Sequence, residues 1–107
     1  MKVTNTAFGL PLKTIKELEA VFSQIPAIEK VIIYGSRAMK THRVNSDIDL
    51  TIVAPSLDSA ELSQIEVTID DLLLPYTIDL SLFHNIENPD LVEHIKQVGL
   101  DFYKRKG

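Results

Sequence analysis

The spacing of apolar positions changes several times along the chain, and each change marks an element. Ile15, Leu18, Val21, Phe22 and Ile25 recur at helical spacing and predict one buried face of a helix. Pro11 suits its first turn and Pro26 stops it. Val31-Ile32-Ile33-Tyr34 reads as a short strand running into Gly35-Ser36. Residues 37–46 are polar and basic, with room for a turn of helix. From Ser46 to Val53 polar and apolar residues alternate, the period of a half-buried strand, and Pro55 ends it. Asp58 and Glu61 are spaced as a helix N-cap and its reciprocal partner. They lead Leu62, Ile65, Ile69, Leu72 and Leu73, expected to be one face of a second long helix closed by Pro75. Tyr76 to Phe83 alternates again. Asn88-Pro89 opens a last helix whose stripe is Leu91, Ile95 and Val98. Gly99 is expected to supply a left-handed stop, and Leu100 to Lys104 a short closing strand.

Side chains alternate across a strand, so the pattern also sorts the faces. Ile48, Leu50 and Ile52 point one way, as do Ile78, Leu80 and Leu82. Asp47, Asp49 and Thr51, and Thr77, Asp79 and Ser81, point the other way. The predicted fold class is α+β, a two-layer α/β arrangement with a small mixed sheet and helices packed on one face. Three aspartates would then lie on the open face.

Composition narrows this picture. The 107 residues are read as a single domain, 1–107. With no cysteine, disulfides, thiolate nucleophiles and cysteine-ligated zinc are excluded, and a reducing compartment fits. Fifteen acids against eleven bases give a net charge of −4, which argues against a general nucleic-acid binder. No apolar run suits a signal peptide or a membrane span, so the expected address is the cytoplasm, with no membrane partner.

Asp47 and Asp49 are two apart on one strand, so their Cα atoms lie roughly 6.6 Å apart on the same face. Carboxylates at that spacing can share a hard cation, and Mg²⁺ takes oxygen ligands while keeping room for substrate phosphates. Asp79 on a neighbouring strand would complete a two-metal arrangement with ions about 4 Å apart. Aspartate is depleted in strands, so three of them in matched orientation call for a function. The alternative is an exposed strand face with scattered acids. Gly35-Ser36 ends a strand, where glycine permits close backbone approach and N–H groups can face phosphate. Arg37, Lys40, His42 and Arg43 follow before Ser46 with no acid among them. A cationic segment beside an anionic triad suits a metal–triphosphate complex. Arg37, next to the turn, is the favoured phosphate contact; a solvated basic loop is the alternative.

Gly35-Ser36, ten residues, then Asp47-Ile48-Asp49 reads G-S-x10-D-x-D. With Asp79 in a later strand, the chain resembles the nucleotidyltransferase domain of the DNA polymerase beta superfamily. More closely, it resembles the minimal nucleotidyltransferases (MNT) encoded beside HEPN proteins. The pieces GSRA, SDIDL, LLLPYTIDLSLF, NPDLVEHI and GLDFY extend the likeness over nearly the whole chain. The resemblance implies that Ser36 and the Gly35 backbone contact nucleotide phosphates; the charge of the segment adds Arg37, Lys40 and Arg43 as expected nucleotide-binding residues. It implies that Asp47 and Asp49 hold two Mg²⁺ ions, and that Asp79 ligates the catalytic ion and takes the proton of the attacking hydroxyl. The implied reaction moves AMP from ATP to a hydroxyl, expected to be a tyrosine, of a partner HEPN ribonuclease toxin, and the chain acts as its antitoxin. Met39-Lys40 stands where the family commonly has Arg-Gly, and Asn45 where glycine is common.

A binding module that neutralises the toxin by complex formation is the second reading, and transfer to a small hydroxyl compound a third. The chain has no residues to spare for an acceptor-binding domain, so the acceptor is expected to be another molecule. His84 and His94 read as surface or boundary residues, and Asp70-Asp71 as the solvated end of a helix. Tyr34 is expected to be core, with base stacking as the alternative.

Overall fold

The alternating runs become a sheet because each concentrates its Leu and Ile side chains on one face. In the computed structural model, which describes residues 6–43 and 45–106, the elements run in chain order as follows. They are β1 (Thr6–Ala7), β2 (Leu10–Pro11), α1 (Leu12–Ser23), β3 (Lys30–Tyr34), α2 (Ser36–Met39) and β4 (Ile48–Val53), then α3 (Ser59–Asp70), β5 (Ile78–Leu82), a 3₁₀ turn (Phe83–Asn85), α4 (Pro89–Val98) and β6 (Leu100–Lys104). The main sheet has the order β5-β4-β3-β6. β3 is antiparallel to β4 and β6, and β4 is parallel to β5, so the sheet is mixed as predicted.

Register stacks the apolar residues in rows. Val31 pairs with Ile52 and Ile52 with Leu82; Ile33 pairs with Leu50 and Leu50 with Leu80. Ile15, Leu18 and Phe22 of α1 and Ile65 and Ile69 of α3 join these residues in one core cluster. α3 begins with a complete capping box: Glu61 N–H donates to Asp58 at 2.8 Å, and Asp58 N–H to Glu61 at 3.1 Å. At α4, Asn88 accepts from Asp90 N–H at 2.9 Å.

The helices do not all lie on one side. α1 and α3 cover the apolar face, whereas α4 lies against the face that carries the aspartates. Its His94 ring meets Tyr34 edge-on at 6.2 Å. Its Ile95 is 2% exposed, outside the main core cluster, and lines a groove with Ile32 and Val53. Gly99 has an ordinary φ of −64°, not the expected left-handed stop. Its lack of a side chain serves packing instead, because a Cβ there would lie 2.6 Å from Ile32 Cγ2.

Three further boundaries differ from the pattern. Pro11 caps α1 from outside and does not sit in its first turn. α3 ends at Asp70, so Leu73 is not on its buried stripe; it adopts φ 55° and is 87% exposed. The first described residues form a small hairpin that the pattern did not show. Phe8 and Gly9 both have positive φ, the backbone that a tight two-residue turn requires. Phe8 packs on Phe102 with ring centroids 5.7 Å apart, which fixes the hairpin to the sheet edge. None of the described helices is long and apolar enough to cross a membrane.

Candidate active site

β3, β4 and β5 bring their chemistry-bearing residues to one end of the sheet. Asp49 is in register with Tyr34 on one side and with Asp79 on the other. Neighbouring strands lie about 4.8 Å apart, so the Asp49 and Asp79 side chains stand next to each other on one face. Asp47 sits one residue before β4 and is exposed. Gly35 closes the end of β3 with φ 74° and ψ −152°, a conformation almost confined to glycine. A Cβ there would lie 3.4 Å from Asp49 Cγ and closer still to Oδ2. The glycine thus lets the backbone pass directly over the Asp49 carboxylate.

Electrostatics confirm that the carboxylates share one field. Burial first, then the charges of Asp79 and Asp47, push the Asp49 carboxyl above its ordinary range, and His94 pulls it back in part. Tyr34 is buried, and burial followed by the Asp79 charge raises its hydroxyl above the usual phenol range. A hydrogen bond with the Ser81 side chain works the other way. Ser81 in turn donates to Thr51 at 2.9 Å, and Thr51 is completely buried. Beneath the aspartates, therefore, lies a polar layer of Tyr34, Ser81 and Thr51, closed by His94 of α4.

Among the described residues, no three His, Cys, Asp or Glu side chains are gathered into a metal-binding cluster in this conformation. The donor set nevertheless suits Mg²⁺: three carboxylates, all hard oxygen donors, with like charges already in conflict. A cation would relieve that conflict, and Asp47 and Asp79 are exposed to receive one.

The other expected residues divide. Ser36 is half-buried and heads α2, one residue from Gly35. Lys40 ends α2 in a left-handed conformation, φ 63°, and Arg43 follows; both are exposed on the loop that leads to Asp47. Arg37 does not extend towards a nucleotide. It is 1% exposed, and its guanidinium donates to the carbonyls of Phe8, Gly9 and Ser46. The polar look of its segment concealed a side chain that the fold turns inward. From the sequence Tyr34 is expected in the core, Ser81 on the aspartate face and His94 at the surface or boundary, and none of them is assigned to the site. A signal for His94 existed: it lies three residues after Leu91 and four before Val98, on the helical stripe itself.

Comparison with known proteins agrees with this geometry. The family described as "Polymerase beta, Nucleotidyltransferase" matches residues 16–107. No match is found among curated proteins. Among solved structures, a toxin–antitoxin complex with AMP-PNP contains a chain of 21% identity and TM-score 0.66, matching over 88% of this chain and 73% of that one. A chain in the complex of tri-AMPylated Shewanella oneidensis HEPN toxin with MNT antitoxin has 16% identity and TM-score 0.64, over 87% and 71% of the two chains. A Sulfolobus solfataricus protein described as a nucleotidyltransferase has 26% identity and TM-score 0.54, over 88% and 80%. The fold is therefore shared with MNT antitoxin complexes, and the match across residues 16–107 places this chain in the polymerase beta nucleotidyltransferase family.

Proposed function

We propose that this chain is an MNT-type antitoxin that transfers AMP from ATP to a hydroxyl of a helical HEPN toxin, a tyrosine by preference, with Mg²⁺ as cofactor. The observation that carries the reading is the register pair Asp49–Asp79, with Gly35 laid against Asp49, in a chain of this family. The related complexes that hold AMP-PNP and a tri-AMPylated toxin support the choice of donor and acceptor. We place this chemistry in a single domain, 1–107, working in the cytoplasm.

Asp47, Asp49 and Asp79 would hold the metal, which when bound would neutralise the triphosphate and favour the ionised acceptor. The Gly35 backbone and the Ser36 hydroxyl would orient the phosphates, with Lys40 and Arg43 contributing positive charge from the exposed loop. Asp79 would accept the proton of the acceptor hydroxyl. That oxygen bonds the α-phosphorus as the bond to pyrophosphate breaks, and pyrophosphate leaves. α4 shields the interior side of the aspartates, so the acceptor approaches from the open rim formed by the loop before Asp47 and the segment before β5.

A second reading, neutralisation by binding without catalysis, draws on Met39, an apolar side chain 46% exposed beside the Gly-Ser turn. The two are separated by one experiment. Labelled ATP, Mg²⁺, this chain and its HEPN partner are incubated, and Asp79→Asn is run in parallel. Label on the partner with wild type alone supports transfer. A bound but unlabelled partner refutes it, and protection of cells by the Asp79→Asn protein then favours binding.

A further inference from the structure

Asp47 has a positional problem that Asp49 and Asp79 do not share. The latter two stand in strands, but Asp47 lies one residue ahead of β4. After Asp47 the backbone is held by the sheet, because Ile48 N–H donates to the Thr77 carbonyl at 2.9 Å; before it, Ser46 N–H donates to the Arg43 carbonyl at 3.1 Å, and the Ser46 carbonyl is held by a side chain.

Ser46, the residue before it, carries the answer. The Arg37 side chain donates to the Ser46 carbonyl twice, from Nη2 at 2.9 Å and from Nε at 3.2 Å. Its Nη1 donates to the carbonyls of Phe8 at 2.9 Å and Gly9 at 3.3 Å, in the turn between β1 and β2. Its Cζ lies over the Tyr76 ring, 5.3 Å from the centroid, and Tyr76 is three residues ahead of Asp79. Arg37 itself is one residue beyond Ser36. One side chain thus ties together the Gly-Ser turn, the lead-in to Asp47, the lead-in to Asp79 and the amino-terminal hairpin. At 1% exposure it is enclosed by these segments, out of reach of a phosphate.

We propose that Arg37 is a positioning residue for nucleotidyl transfer, setting Asp47 through the Ser46 carbonyl and bracing the approach to Asp79 through Tyr76; this rests on the transfer reading above. The planar fork of a guanidinium is what the arrangement uses. It addresses carbonyls in two directions while its face stacks on a ring, which a lysine ammonium cannot do. Arg37→Lys keeps the charge and loses the fork, so it separates positioning from charge.

The test uses the full chain. Mg²⁺ is titrated at fixed AMP-PNP, binding is followed by calorimetry, and thermal melting is recorded for every variant. Loss of a group that orients a metal ligand weakens metal binding by about tenfold or more. Arg37→Lys should therefore raise the half-saturating Mg²⁺ by about tenfold. In an Asp47→Asn background the same change should add little, because its effect runs through Asp47. A role confined to stability would lower the melting temperature equally in both backgrounds and leave the Mg²⁺ midpoint of the folded protein unchanged; that result overturns the proposal. Should Arg37→Lys fail to fold, Tyr76→Leu decides. It leaves the carbonyl bonds in place and should raise the Mg²⁺ midpoint by about threefold, and an unchanged midpoint overturns the proposal. Absence of Mg²⁺-dependent AMP-PNP binding by wild type would instead count against the transfer reading itself.

Discussion

Replacing Gly35 by alanine tests whether the site depends on a bare backbone at that position. The native φ of 74° and ψ of −152° lie where residues with a Cβ are strained by about 1–3 kcal/mol. The new methyl also meets the Asp49 carboxylate, with Cγ only 3.4 Å away and Oδ2 nearer. Asp49 is flanked by Tyr34 and Asp79 in register and cannot retreat sideways. Overpacking of this kind costs about 1–3 kcal/mol. The sum, roughly 4 kcal/mol, should lower the melting temperature of a domain this size by about 15–30 °C. The displaced carboxylate has a second effect, because misplacing a reacting group by about 1 Å can cost 100-fold in rate. Differential scanning calorimetry and transfer of labelled AMP to the partner, normalised to folded protein, read the two effects separately. Gly99→Ala is the control. Its added Cβ is also crowded, against Ile32 and the Ile95 carbonyl, but φ is an ordinary −64° and no carboxylate is involved. It should lose stability by about 1–3 kcal/mol and keep its transfer rate per folded molecule. A Gly35→Ala protein that melts within about 3 °C of wild type and transfers at the wild-type rate would refute the reasoning.

Three further outcomes follow from the same geometry. In EDTA at neutral pH, Asp49→Asn should melt higher than wild type and transfer nothing. Asp49 is raised in the folded chain by burial and by Asp79 and Asp47, so its ionised form opposes folding above that raised value. The difference in melting temperature should close as pH falls from the raised value through the ordinary carboxylate range, and a gap that widens on acidification contradicts this. Adding Mg²⁺ to wild type with AMP-PNP should raise its melting temperature by mass action, and Asp79→Asn should abolish most of the rise; equal shifts in both proteins would remove Asp79 from the metal site. Asp58→Ala breaks the capping box of α3 at the far end of β4 and should cost about 1 kcal/mol with unchanged transfer, so a loss of activity there would show that α3 couples to the site.

The residues that could be read from the sequence are those whose signal is local. Asp49 and Asp79 announce themselves because a carboxylate in a strand is unfavourable, and the period of two assigns its face without knowledge of the partner strand; Asp47, expected on the strand of Asp49, stands one residue before it. Register then adds what no period contains: Asp49 and Asp79 are directly paired, whereas the pattern required only a common side. Leu73 shows the opposite case. Its spacing continues the stripe of α3, yet the helix ends at Asp70 and the chain turns through a left-handed residue, because the strand ahead must reach its place beside β4.

Arg37 marks where local reading fails for a physical reason, and His94, read as surface or boundary, lies at the boundary beside the site. A basic residue in a polar loop resembles surface, and its burial is decided by what the rest of the chain lays over it. For Arg37 the cover is the amino-terminal hairpin, a turn built on Phe8 and Gly9 that alternation does not reveal. What brings His94 to the site is the choice of α4 to cross the aspartate face, which the sheet permits because Ile32 offers apolar surface there and Gly99 lets the chain lie close to it. Both choices have the same consequence. They bring a fixed group against one side of the aspartates, Tyr34 with His94 and Arg37 behind the loop, while Asp47 and Asp79 stay exposed. A triad held from within and open at its rim suits an acceptor that is itself a folded protein, since such an acceptor can present its hydroxyl only to a surface it can reach.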